Sequence, residues 1–256
     1  MTTLTLVLLC VAAFGAGFVD AIVGGGGLIQ TPASLVLLPQ FPVATVIGSL
    51  KIPAFSGTFF AAIQYLKKVK VQIALTLGMC CIAFCAAFAG STLLSSVSNR
   101  FMKPIILIVL IGVALYTYTK KDFGQHTAKT HSRRKTVILS LLISLVIGFY
   151  DGFIGPGAGS FLVLSFIAIL GFDFLRASAL AKLVNLSTNF GSICLFLLKG
   201  TILWQVAIPM AISNAVGGVL GARLALSRGN RFIRIFFLVV VGLTLLRFGY
   251  DVFMGK

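Results

Sequence analysis

Long apolar runs separated by short polar gaps dominate the chain. In the first half they cover about 4–23, 27–38, 43–66, 71–96 and 104–119, and in the second about 136–154, 158–171, 174–198, 202–226 and 232–253. The runs are continuous and lack the alternation of a membrane β-barrel, so they predict helices. A helix over 43–66 would be about 36 Å long, enough to cross a hydrocarbon core of about 30 Å. One over 28–38 would reach only about 16 Å. The first two runs of each half therefore predict a hairpin that enters the membrane and turns back, with a Gly-rich tip, and the other three predict spanning helices.

The two halves are copies of one unit. At one fixed offset, Gly17-Phe18-Val19-Asp20 falls on Gly148-Phe149-Tyr150-Asp151 and Lys51 falls on Lys182. At the same offset Ser56 falls on Ser187, Gly90 on Gly221 and Asn99-Arg100-Phe101 on Asn230-Arg231-Phe232. Matches of Asp, Lys, Asn and Arg, all rare here, carry the argument where Leu on Leu would not. The units are residues 1–119 and 136–256, joined by a basic linker, 120–135, with Lys120, Lys121, Lys129, Arg133, Arg134 and Lys135. Such a linker reads as a cytoplasmic loop. A hairpin that returns to its entry side gives each half an odd net number of crossings, which inverts the second half. Inversion puts Lys67, Lys68 and Lys70 and the Arg228, Arg231 and Arg234 cluster inside with the linker. It puts Lys199 and both termini outside. The expected fold is thus an all-α polytopic membrane protein of two inverted repeats.

Composition sharpens this. Of 256 residues, 59% are hydrophobic and 10% charged, against roughly 25% charged in soluble domains, and the mean hydropathy is +1.08. These values exclude a soluble enzyme, a disordered chain and a disulfide scaffold. Lys and Arg number 21 against 5 acids, for a net charge of +16. Because the cations sit mostly in gaps between apolar runs, they point to anionic lipid and not to nucleic acid. The first run lacks a charged n-region and is expected to stay as a membrane segment. Cys10, Cys80, Cys81, Cys85 and Cys194 lie in apolar runs without nearby His or carboxylate, so no metal site and no cofactor are expected. His126 and His131 fall in the linker.

Polar residues inside apolar runs are the candidates for chemistry. The first set is Asp20 followed by Gly24, Gly25, Gly26 and Gly27, and the second is Asp151 followed by Gly155, Pro156, Gly157, Ala158 and Gly159. Glycine lets backbone approach a ligand closely, and a helix starting after such a turn aims free N–H groups at it. Close helix packing through small residues is the alternative. No Gly-Lys-Ser/Thr follows, so this is not a P-loop. Lys51 lies about 12 Å into its run, near mid-membrane, as does Lys182. Each needs a carboxylate, a wet cavity or an anionic ligand, and an ion pair with Asp20 or Asp151 competes with ligand contact. A pair within each half, Lys51 with Asp20 and Lys182 with Asp151, is the form expected, with the two Lys facing each other. Asn185 and Asn189 share a face with Lys182, and Pro53 should loosen the helix after Lys51. Asp20 and Asp151 are candidate coupling sites. Gly217 and Gly221, matched by Ala86 and Gly90, read as helix contacts. Asn214 reads as a bond to a neighbouring helix, and Arg247 with Asp251 as an i, i+4 pair.

These motifs, with Ser49-Leu50-Lys51 and Ala179-Leu180-Ala181-Lys182-Leu183-Val184-Asn185, resemble the sulfite exporter TauE/SafE family, also called the toluene sulfonate uptake permeases. The resemblance covers nearly the whole chain, and one departure is Pro156 where the first half has Gly25. It implies a non-enzymatic permease of the bacterial inner membrane for sulfite, sulfoacetate or other sulfonates. The expected partners are that small anion, the bilayer and a coupling proton or Na⁺, with a homodimer left open. An anion channel of the same fold is the first alternative. A membrane-embedded enzyme is the second, disfavoured because no His lies in an apolar run, and a non-transporting membrane subunit is the third.

Overall fold

The computed structural model describes residues 2–98 and 132–253, with side chains as far as Arg228. Described residues form eight helices: α1 Thr3–Val23, α2 Gly27–Leu37, α3 Val43–Leu66, α4 Ile73–Ser96, α5 Arg133–Phe153, α6 Ala158–Ala168, α7 Phe174–Leu198 and α8 Trp204–Phe253. Six of these segments, the Trp204–Arg228 part of α8 among them, are long and apolar enough to cross a membrane. α2 and α6 have 11 residues each and are too short. Large apolar side chains such as Val11, Val36, Ile73 and Val146 point outward, as expected of a bundle solvated by lipid. Asp173 caps α7 by accepting from the N–H groups of Leu175 and Arg176, both at 3.0 Å.

Sequence and structure diverge at the end of the chain. The polar gap near Arg228 and Arg231 predicts a break between two spans, yet α8 continues as one helix of 50 residues. The gap holds Arg, Ser, Asn and one Gly but no Pro. A single Gly costs a helix only about 1 kcal/mol, so nothing there forces an end. Run 104–119, the linker up to residue 131 and the side chains of Arg247 and Asp251 lie outside the described residues.

Small residues set the packing. A side chain at Gly217 would strike the Phe14 carbonyl of α1 at 2.2 Å, and one at Gly221 the Phe18 carbonyl at 2.3 Å. In the matching contact, Gly90 of α4 lies on Phe149 of α5, and Gly148 of α5 lies on Ala83 and Ala86. The small-residue contacts expected from sequence are therefore present, and they pair the first helix of each half with the fourth of the other.

The contacts also fix helix directions. α1 against α8 and α4 against α5 rise in number together. So do α3 against α8, where Ser49 meets Leu203 and Gly57 meets Gly218, and α4 against α7, where Cys80 meets Leu183 and Ser91 meets Ser192. α3 against α7 runs oppositely: Gly48 meets Phe196, whereas Thr58 meets Asn185. α1, α3 and α8 therefore share one direction, and α4, α5 and α7 share the other.

One end of the bundle consequently gathers Lys67, Lys68, Lys70, Arg133, Arg134, Lys135, Arg176, Arg223 and Arg228. Among described residues the opposite end carries Lys199. The remaining described cations, Lys51 and Lys182, are buried between the ends.

Candidate functional site between two glycine tips

The two hairpin tips meet at the centre of the bundle. α1 ends at Gly24, whose φ of +83° turns the chain toward α2. Gly155 and Gly157, at φ +92° and +84°, turn α5 toward α6. A Cβ at Gly24 would lie 2.4 Å from the Gly159 carbonyl carbon, and one at Gly27 would lie 3.1 Å from Pro156 Cα. Ser160 Oγ donates to Val23 O across the junction at 3.1 Å. The tip glycines are thus packing residues, as the alternative reading held. They also face a cavity.

The cavity is about 60 Å³, room for several waters or one small oxyanion by the measure in which a water needs about 10–15 Å³. Its wall brings together most residues expected from sequence: Asp20, Gly24, Gly26, Gly27, Lys51, Asp151, Gly155, Gly157, Ala158, Gly159, Asn185 and Asn189. Gly25 and Lys182 are not on the wall. Lys182 lies behind Asp20, so the two Lys do not meet as an opposed pair across the cavity.

Ion pairing crosses the halves. Lys51 Nζ donates to Asp151 Oδ1 at 2.9 Å and to Asp151 O at 2.6 Å. Lys182 Nζ donates to Asp20 Oδ2 at 3.2 Å and also to Asp20 O. The within-half pairing expected from sequence is therefore replaced by an exchange. Tip-to-tip packing brings the end of α5 to Lys51 on α3, and the end of α1 to Lys182 on α7. Each ammonium also sits on a carbonyl in the last turn of a helix, where the helix dipole favours a cation. Two cations against two carboxylates leave this centre electrically neutral, the condition for burying charge at tolerable cost.

Neutral polar groups complete the site. Asn189 Nδ2 donates to Asn185 O and Oδ1, both at 2.8 Å. Thr188 donates to Asp151 Oδ2 and to Asn185 O. Thr58 Oγ1 lies 3.4 Å from Asp20 Oδ2. Asn214 Nδ2 donates to Gln30 Oε1 at 2.8 Å, and Gln30 Nε2 donates to Leu50 O at 3.3 Å. Asn214 therefore does bond a neighbouring helix, and it fits because Gly57 leaves room: a Cβ there would fall 1.8 Å from Asn214 Oδ1.

Sequence reasoning missed Gln30, Thr31 and Thr58 on the cavity wall, and Thr188 behind it. Two signals were available. Gln30 is an amide inside an apolar run, and Thr58 falls on Asn189 at the repeat offset.

Comparisons with known proteins agree with this architecture. The family model described as "Sulfite exporter TauE/SafE" matches residues 9–248. A probable membrane transporter protein, ORF9, of Sinorhizobium sp is 35% identical over 92% of this chain and 88% of its own. One from Haemophilus influenzae is 35% identical over 90% and 89%. The probable membrane transporter protein YfcA of Escherichia coli K12 is 31% identical over 98% and 92%. No solved structure matches the chain significantly. With a full-length family match on a multi-pass helical bundle, the chain belongs to the sulfite exporter TauE/SafE family of membrane transporters.

Proposed function

We propose that the protein is a secondary transporter of small sulfur-containing oxyanions, such as sulfite, sulfoacetate or other organosulfonates, across the bacterial inner membrane. It works by alternating access and is coupled to an ion gradient. The observation that carries this reading is the central cavity. It lies between two Gly-rich tips and is walled by bare tip backbone, Lys51 and Asp20, the place where transporters built from broken helices hold substrate. The Asn185 amide N–H groups, oriented by the bond from Asn189 to Asn185 Oδ1, and the Lys51 ammonium would face the sulfonate oxygens. The test is a panel of sulfite and sulfonates in proteoliposomes, with uptake read with and without an imposed pH gradient. Saturable, gradient-driven accumulation is expected. Unsaturable conductance would mean a channel, and no flux of any of these anions would refute the reading.

The same proposal includes inverted repeats with the basic end inside. The opposed directions of α1 and α5 support inversion. Nine described cations at one end against Lys199 at the other support the orientation. The start of α1 then lies outside, whereas α8, unbroken past Arg228, does not support the outside C-terminus expected from sequence. A reporter active only in the cytoplasm should work when fused after Lys70 and stay silent when fused after Gln40. The reverse result would overturn the orientation.

A further inference from the structure

The two ion pairs are related by the repeat, but they are not equivalent. Asp151 is gripped: Lys51 lies at 2.9 Å, Thr188 holds its second oxygen, and the side chain is 5% exposed. Asp20 is held loosely. Lys182 lies at 3.2 Å, Thr58 and the Gly26 N–H at 3.4 Å each, and the side chain is 18% exposed toward the cavity. One of these contacts has a meaning of its own. Gly26 precedes the first residue of α2, so Asp20 Oδ1 occupies the N-terminal end of that short helix. This is where a bound oxyanion would sit. The carboxylate fills the anion seat with the protein's own charge.

Resting on the transport reading above, the geometry points to Asp20, and not Asp151, as the group that takes up one proton for each anion bound. The charge balance requires it. Lys51, Lys182, Asp20 and Asp151 sum to zero, so a monoanion entering alone leaves a buried net charge of −1, which is costly in this setting. A proton on Asp20 restores neutrality. It also relaxes the hold of Asp20 on the Gly26 N–H and frees that donor for the substrate. Lys182 keeps its bond to Asp20 O and contributes its charge to the anion. Asp151 stays ionised and keeps Lys51 in place.

The charged and titratable groups around Asp20 are few. Lys182 of α7 touches it, Lys51 of α3 and Asp151 of α5 share its cavity, and Tyr65 of α3 donates to the neighbouring Ala21 O. The turn before α2 brings Gly26, α6 brings Ser160 and α8 brings Asn214, none of which titrates.

The test uses the full chain in weakly buffered detergent, with a monoanionic sulfonate such as methanesulfonate, titrated at neutral pH, where the charge of the ligand itself does not change. A pH electrode should record uptake of about one proton per anion bound. Asp20→Asn should bind the anion with no proton uptake. In liposomes it should exchange labelled for unlabelled sulfonate while losing accumulation driven by a pH gradient. Lys51→Ala combined with Asp151→Asn, which removes one cation and one carboxylate together and so keeps the charge balance, should weaken binding yet still take up one proton per anion. Binding by the parent protein without proton uptake would overturn the assignment and leave the transport reading intact. So would proton uptake that survives in Asp20→Asn. Absence of both binding and transport of sulfonates and sulfite would sink the two together. Should Asp20→Asn fail to fold, the proton count on the parent protein and on the Lys51→Ala, Asp151→Asn double still decides the matter.

Discussion

Lys51→Ala should cost the protein both stability and affinity, and adding Asp151→Asn should return the stability alone. The single change strands Asp151 in a site where its side chain is 5% exposed, and breaking a buried pair from one side costs about 3–5 kcal/mol. Removing both members takes the stranded charge away, so thermal unfolding of the double variant in detergent should return close to that of the parent. Affinity should not return, because Lys51 lies on the cavity wall. A lost hydrogen bond to a charged group is worth at least about 1.5 kcal/mol, or about tenfold in binding. Calorimetric titration of the parent, both singles and the double with a sulfonate separates the two effects. Parental affinity in the double would show that Lys51 only neutralises Asp151. Lys51→Ala with Asp20→Asn, the pairing that sequence alone suggests, should rescue nothing, since these two are not bonded to each other.

The second large effect concerns the tips. Gly24→Val should abolish transport, and Gly159→Val should do the same. At Gly24 a Cβ would sit 2.4 Å from the Gly159 carbonyl carbon and 2.7 Å from Ser160 N, on backbone with φ +83°. Neither backbone can yield without parting the tips. Overpacking costs about 1–3 kcal/mol, and a branched residue at positive φ adds about 1–3 kcal/mol. At Gly159 the collision is with Gly24 O, at 2.4 Å. Gly15→Val is the control, because no heavy atom of another element lies within 4 Å of its added Cβ; it should insert, purify and transport like the parent. A Gly24→Val protein that transports at the parental rate would show that tip-to-tip contact is dispensable.

Much of this was legible in the sequence, and for identifiable reasons. Apolar run length gave the bounds of α3 and α7 almost to the residue, because lipid demands unbroken helix. The duplication was visible because Asp, Lys and Asn are rare in the chain. Both short helices were readable from their length. What sequence could not supply is which copy of a matched residue meets which. The repeat places Asp20 and Lys51 in one unit, and proximity along the chain favours pairing them, whereas the tips pack so that each Lys reaches the other unit. Lys182 could not be told apart from Lys51 for the same reason: identical registers in a repeat hide unequal exposure. Gln30 and Asn214 are far apart in number, and their bond exists because both side chains reach the wall of the central cavity. The continuity of α8 through Arg228 was missed because a cluster of arginines reads as a loop when only hydropathy is counted.

The crossed ion pairs carry a consequence for how such a chain is assembled. Among the described residues each ion pair inside the bundle joins one half to the other, so neither half is electrostatically complete by itself. During synthesis the first half must therefore wait, its Asp20 and Lys51 each without the partner it has in the final bundle, until α5 and α7 have been made. Late closure of the two pairs makes the end of folding a single joint event, in which the halves lock together or not at all. The same exchange also describes how a single, unduplicated unit would have to live: as two copies, each lending its lysine to the other.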